Sequence, residues 1–219
     1  RFGGTLKNVS SGFLAAHVIT ALLNKTGVHP EQVEEVILGE VRQTTESSNV
    51  ARVAAIRAKL PVEVPAFTIN RLCASGMQAI ASGVQQIQSG HAQIVIAGGT
   101  ESMSNAPIYL RNSRFGEGNP YLVDSHLETG QQPKEIYGEN LGMGITAENV
   151  AVDYQISRED QDRFALESQR RAAKAIEIGA FRDEIVPVQV TSRKKTIIFD
   201  TDEHPRPDTT METLQQLKP

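Results

Sequence analysis

Hydrophobic residues along the first hundred positions follow two alternating rhythms. Phe13, Leu14, Ala16, Val18, Ile19, Leu22 and Leu23 fall at helical spacing until Gly27 interrupts them, which predicts an amphipathic helix. Residues 30–33 read as a helical turn ahead of the apolar run 36–39, a strand. Helical spacing returns over 49–60 and stops at Pro61. A second strand is predicted over 65–70, a helix over 74–88 ending near Gly90, and a third, almost wholly apolar strand over 93–97. Strands that are apolar throughout are covered on both faces, so the alternation predicts a mostly parallel sheet between helices, an α/β fold.

Beyond Gly98 and Gly99 the rhythm fades. From about residue 100 to 144 glycines, prolines, asparagines and scattered charges predict a long functional or disordered loop. A helix is expected over 146–154. Ser157 caps a longer one to about 178, with Asp160 at its third position and Gly179 as its stop. Residues 185–190 alternate around Pro187, which favours an edge strand, and 196–199 supply a hairpin partner across a solvated Arg193-Lys194-Lys195 turn. From Asp200 the chain is polar and shows no closing signal. The expected division is therefore 1–99, an α/β half, and 100–219, a loop region with helices and short strands.

Composition narrows the chemistry. A chain of 219 residues with 39% hydrophobic and 22% charged residues can bury a core, and a net charge of -4 gives no electrostatic reason to bind nucleic acid or anionic lipid. No run of eighteen apolar residues and no leader is visible, so neither membrane span nor signal peptide is expected and the predicted location is cytoplasmic. The single cysteine, Cys73, can form neither an intramolecular disulfide nor a Cys-type zinc site, and no metal site is expected. It is either a buried inert thiol or a reactive one. Its place between a strand end and the first turn of a helix favours reactivity, because unpaired N–H groups and the helix dipole stabilise a thiolate there. The same groups could bind a developing oxyanion. Gly76 beside it serves either close packing or substrate approach. Glu101, at a strand end, is read as an acceptor for loop N–H groups, and His91 as a favourable charge at a helix end. Gly142-Met143-Gly144 lacks a preceding apolar strand and does not read as a nucleotide-binding loop.

The run N-R-L-C-A-S-G over residues 70–76, followed by an apolar strand and A-G-G-T-E-S-M-S-N-A-P over 97–107, resembles the signature of the thiolase family. The similarity extends through the opening R-F-G-G-T-L-K-N-V-S, M-G-I-T-A-E-N-V-A over 143–151, the S-R-E-D-Q-D helix and the D-E-I-V-P-V strand, and so covers nearly the whole chain. It implies the layered thiolase fold, with an inserted loop domain from about residue 100 that holds coenzyme A and helps build a dimer or tetramer. It implies acetyl-CoA C-acetyltransferase activity, forming or cleaving acetoacetyl-CoA or a longer 3-ketoacyl-CoA, with acyl-CoA as substrate and no permanently bound cofactor. Cys73 would be the acyl-accepting nucleophile, Met143 would lie near the acyl pocket, and Arg206 and Thr213 would match coenzyme-binding positions.

Two departures qualify the resemblance. Gly142 stands where acetoacetyl-CoA thiolases often carry a histidine facing the pantetheine. The G-H-P and C-x-G-G-G-x-G motifs that supply the family's acid/base partners are absent, and His17, His29, His91, His126 and His204 stand in other contexts. The chain thus reads as an amino-terminal fragment truncated at both ends, inactive in turnover by itself, with uncovered apolar surface that predicts self-association. The alternatives are a coenzyme A-binding or oligomerisation fragment and a ketoacyl-synthase-type condensing enzyme, against which the E-S-M-S strand end argues.

Overall fold

The computed structural model describes residues 1–116, 118–127, 132–138, 142–192 and 195–218. The chain forms two compact units, Arg1–Ser125 with Val186–Phe199, and His126–Ile185 with Asp200–Pro219.

In the first unit, helix α1 (Ser11–Thr26) starts where the Ser10 side chain accepts the Phe13 N–H, and stops at Gly27, whose φ of 71° makes a left-handed cap. Helix α2 (Val50–Arg57) starts at Asn49, which accepts the Arg52 N–H. The Asn49 side chain also accepts the Thr68 hydroxyl and donates to the Ala66 carbonyl, so one cap fastens α2 to the neighbouring strand. Strands β1 (Glu35–Gly39), β2 (Ala66–Ile69) and β3 (Val95–Gly99) pair in parallel in the order β2-β1-β3. Helix α3 (Ser75–Gln88) connects β2 to β3.

The two-residue period of β1 sorts its side chains between two layers. Val36 and Leu38 join Ile96 in a core closed by Ala16 and Ile19 of α1 and Val50 and Ala54 of α2. Ile37 points the other way and is as fully buried. That second face receives α3: a Cβ on Gly83 would lie 3.3 Å from Val95 Cγ1, and one on Gly39 would lie 2.6 Å from the Ser75 carbonyl carbon. Helices therefore cover both faces of a parallel sheet, as the apolar runs predict. On the far side of α3, Met77, Ile80, Val84 and Ile87 form a stripe that the described residues leave exposed.

The segment after residue 99 corrects the expectation of an irregular loop. It forms a short 3₁₀ turn, Met103–Asn105, and an antiparallel hairpin of β4 (Ile108–Arg111) and β5 (Tyr121–Asp124). β4 is exposed along its whole length and so lacks the alternation by which a half-buried strand is recognised. Residues 100–105 are fastened to the start of α1, with the Thr100 hydroxyl donating to Ser11 O (2.9 Å), the Ser102 hydroxyl to Val9 O (3.0 Å) and the Asn105 amide to the same carbonyl (3.1 Å). The first unit accordingly continues to Ser125. The expected second hairpin is present as β6 (Val188–Ser192) and β7 (Lys195–Phe199). The carbonyl of Pro187 accepts from His17 Nε2 at 2.8 Å, just before β6 begins. The turn at 193–194, like residues 117, 128–131 and 139–141 of the expected loop, lies outside the described residues.

The second unit contains α4 (Lys134–Tyr137), α5 (Met143–Asp153), α6 (Arg158–Glu177) and α7 (Met211–Gln215). At the start of α6 the Ser157 hydroxyl donates to Asp160 Oδ2 (2.6 Å) and accepts the Asp160 N–H (3.1 Å), and Gly179 beyond its end has φ 67°. The tail beyond Asp200 corrects the expectation of a featureless end, because Thr210 and Thr213 form a reciprocal cap that starts α7. The Arg158 guanidinium bonds Asp162 (3.0 Å) and the carbonyls of Leu214 (2.7 Å) and Leu217 (2.9 Å), and so joins α6 to α7. Among the described residues no helix is long and apolar enough to cross a membrane.

Candidate active site

Between the end of β2 and the start of α3 the chain reverses in a turn built from its own side chains. Asn70 Oδ1 accepts the Leu72 N–H (3.1 Å), while its amide donates to Val41 O (3.1 Å) beyond β1. Ser75 closes the other end: its Oγ accepts the Arg71 N–H (2.9 Å) and donates to Leu72 O (2.6 Å). These bonds hold Leu72 at a φ of 50°, in the left-handed region that a non-glycine residue enters only when its surroundings over-determine it. Cys73 follows immediately and is exposed. The N–H groups of Gly76 and Met77 lie in the first turn of α3, where a helix offers no internal acceptor.

Two glycines set how closely this turn meets the sheet. Gly39 cannot carry a side chain, for its Cβ would lie 2.6–2.8 Å from atoms of Ser75 and Gly76. A Cβ on Gly99 would come within 3.2 Å of Gly39 O. Gly76 is different, since a Cβ there would meet nothing within 4 Å. Of its two sequence readings, access to open space fits and close packing does not. Beside it is a hollow of about 320 Å³ at the carboxyl ends of β1 and β3, lined by Gly39, Glu40, Val41, Leu72, Cys73, Ser75, Gly76, Gly99, Thr100 and Glu101. The carboxyl ends of parallel strands are where open α/β sheets hold ligands.

Two carboxyl groups stand in this wall. Glu101 accepts the Val41 N–H at 2.8 Å and the Arg42 N–H at 3.3 Å, the loop-pinning role read from its strand-end position. Glu40 was not singled out by the sequence, because an acid directly after an apolar strand reads as solvent-facing. It is 1% exposed. Its Oε1 accepts the Ser11 hydroxyl at 2.5 Å, a contact 29 residues away along the chain that local pattern does not reveal. Burial pushes its carboxyl above the usual range and Glu101 adds to the rise, while the Ser11 hydrogen bond works against both.

Met143, Arg206 and Thr213, also singled out from the sequence, lie in the second unit. Met143 is the first residue of α5 and is 64% exposed. Arg206 is exposed and is held by its backbone, whose N–H donates to Gln169 Oε1 at 2.7 Å. The Thr213 hydroxyl accepts the Thr210 N–H (3.0 Å) and donates to Thr210 O (2.8 Å), so it serves the cap of α7. Arg206 and Thr213 flank one short turn, in which the Thr209 N–H and hydroxyl both donate to Arg206 O. His91 Nδ1 pairs with Ser89 Oγ at 2.7 Å past the end of α3.

An exposed cysteine thus stands at a strained strand-to-helix turn, on a parallel sheet covered by helices. Residues 1–219 match the family model described as thiolase, N-terminal domain, and the chain belongs to the thiolase family. Over its full length it is 50% identical to the acetyl-CoA acetyltransferase of Chromobacterium violaceum, 48% to that of Pseudomonas aeruginosa and 46% to the probable acetyl-CoA acyltransferase of Staphylococcus epidermidis, covering 55–56% of each. The crystal structures of the Bacillus anthracis acetyl-CoA acetyltransferase and of human mitochondrial 3-ketoacyl-CoA thiolase superpose on the whole chain with TM-scores of 0.92, at 45% and 41% identity, and it covers 55% of each. The chain spans about half the length of the relatives it matches.

Proposed function

We propose that the full-length protein is an acetyl-CoA C-acetyltransferase that forms or cleaves acetoacetyl-CoA or a longer 3-ketoacyl-CoA, with Cys73 as the acyl acceptor. The observation that carries this reading is the exposed Cys73 at the mouth of an open hollow, held by a turn whose strain the Asn70 and Ser75 bonds offset.

The Cys73 sulfur attacks the thioester carbon of an acyl-CoA. Negative charge gathers on the carbonyl oxygen, for which the first-turn N–H groups of α3 are available, and the bond to the coenzyme sulfur breaks. The products are an acyl-cysteine thioester and free coenzyme A, which carries away the thiol proton. In the condensing direction a base takes a C2 proton from a second acetyl-CoA, and the carbanion so formed attacks that thioester, forming a carbon–carbon bond and returning the Cys73 thiolate. Cleavage runs the same steps in reverse. Cys73 is the chain's only cysteine, so no second thiol within it moves the C2 proton.

Arg206 presents an exposed guanidinium suited to the phosphates of coenzyme A, with Thr213 beside the same turn. The exposed Met143 offers an apolar contact for the acyl or pantetheine chain. The bare stripe on α3 supports assembly as a homo-oligomer, a dimer or tetramer. A cytoplasmic location fits a reaction that needs its thiol kept reduced.

The test is coenzyme A-dependent cleavage of acetoacetyl-CoA by the full-length protein. Cys73→Ala should lower turnover by at least about 10³-fold with the fold intact. Turnover within about tenfold of wild type would overturn the assignment.

A further inference from the structure

The buried acid beneath the hollow has no part in the steps above. Glu40 is 1% exposed, one oxygen takes the Ser11 hydroxyl, and the other, Oε2, is buried with no hydrogen-bond partner among the described residues. A carboxylate held this way would keep a full charge on an atom that no donor stabilises, and such groups take up a proton instead. Within the same wall the Glu101 carboxyl is anchored by two backbone N–H groups.

We propose that Glu40 is a positioning residue for Cys73, a neutral acid in the wall of the hollow that ties the first turn of α1 to the strand ends and keeps a second negative charge away from the thiol. The proposal rests on the reading of Cys73 as the reactive group. The groups around Glu40 come from every neighbouring segment. Ser11 stands on α1, Arg42 follows β1, Cys73 lies in the turn before α3 and Glu101 follows β3. Arg57 of α2 reaches the same end of α1, its Nη1 standing 3.2 Å from where a Cβ on Gly12 would be. Arg42 is the cation nearest in sequence, but its Nε is buried without a hydrogen-bond partner. Burial and Glu101 both favour the neutral form of Glu40, and the Ser11 hydroxyl favours the charged one. Once Glu40 ionises, a second carboxylate joins Glu101 in the hollow that Cys73 also lines, and like charges there disfavour a negative sulfur.

The experiment follows alkylation of Cys73 by iodoacetamide, an uncharged reagent, in the full-length protein from about pH 6 to about pH 9. Glu40→Gln preserves shape and is neutral throughout. The ratio of its alkylation rate to that of wild type should rise with pH, reaching about threefold once Glu40 is ionised in wild type. Ser11→Ala removes the bond that favours the charged form, so the point at which wild type falls behind Glu40→Gln should move to higher pH. A purely structural role for Glu40 would give a ratio constant with pH, and that result overturns the proposal, as does a shift to lower pH in Ser11→Ala. Should Glu40→Gln fail to fold, Ser11→Ala decides alone, its rate having to rise above wild type within the same range. Alkylation needs no acyl-CoA, so a failure of acetyl transfer is seen separately from a failure of this proposal.

Discussion

The two compact units of the chain are held together by different forces. In the first, most buried residues are aliphatic: Val36, Ile37, Val50, Ala51 and Ala54 are solvent-free, and the sheet passes between helices on both faces. In the second, the buried ones among the described residues are Leu166 and Asp162, and polar links join Arg158 to Asp162, Leu214 and Leu217, and Gln169 to Arg206. Apolar packing fixes atoms closely, and the Cys73 turn stands on that packed sheet. Polar fastening over exposed helices leaves surface available, and it is there that Met143 and Arg206 present exposed side chains. Under the proposed function, the packed unit carries the covalent step and the polar one the coenzyme contact.

The contrast is sharpest where the packing is tightest. Ile37→Ala should destabilise the first unit by about 4 kcal/mol in denaturant unfolding, through lost transfer energy and the cavity left behind. Gly39→Ala should cost about 3 kcal/mol and also slow alkylation of Cys73, because the new Cβ collides with the backbone of Ser75 and Gly76. Gly76→Ala should leave stability within about 0.5 kcal/mol of wild type while lowering acetyl transfer, since its Cβ enters the open space beside the thiol. In the second unit Arg158→Ala should cost about 2 kcal/mol, because the buried Asp162 carboxylate and two helix-end carbonyls lose their donor. Hydrogen exchange should show this loss in α6 and α7 and leave β1 protected; faster exchange in β1 would break the comparison. Ser157→Ala, which removes only a cap, should cost about 1 kcal/mol.

A pH dependence in the first unit follows from Glu40. Glu40 is raised in the folded state, so its contribution is fully present below its unfolded value near 4.5 and is lost as pH rises through the raised folded value. Thermal melts should show wild type losing stability relative to Glu40→Gln as pH increases over that window. Parallel curves would contradict the assignment.

Much of both units was legible because their signals are local. Gly27 and Gly179 end helices with positive φ, Ser157 caps with its own hydroxyl, and apolar runs mark the parallel strands. The Cys73 turn was legible by position and by resemblance, but the work of Asn70 and Ser75 in holding Leu72 appears only in the hydrogen bonds. What escaped depended on partners distant in sequence or on weak periodicity. Glu40 is buried by Ser11, β4 shows no buried face, and α7 starts from a threonine pair in place of the usual Ser/Thr and Glu.

The most direct test of the central claim is mass spectrometry of the full-length protein after brief exposure to acetyl-CoA, digested under conditions that preserve thioesters. The account predicts one acetyl group on the peptide that contains Cys73, absent from Cys73→Ser. An acetyl thioester on another residue, or turnover of acetoacetyl-CoA with Cys73 never acetylated, would contradict it.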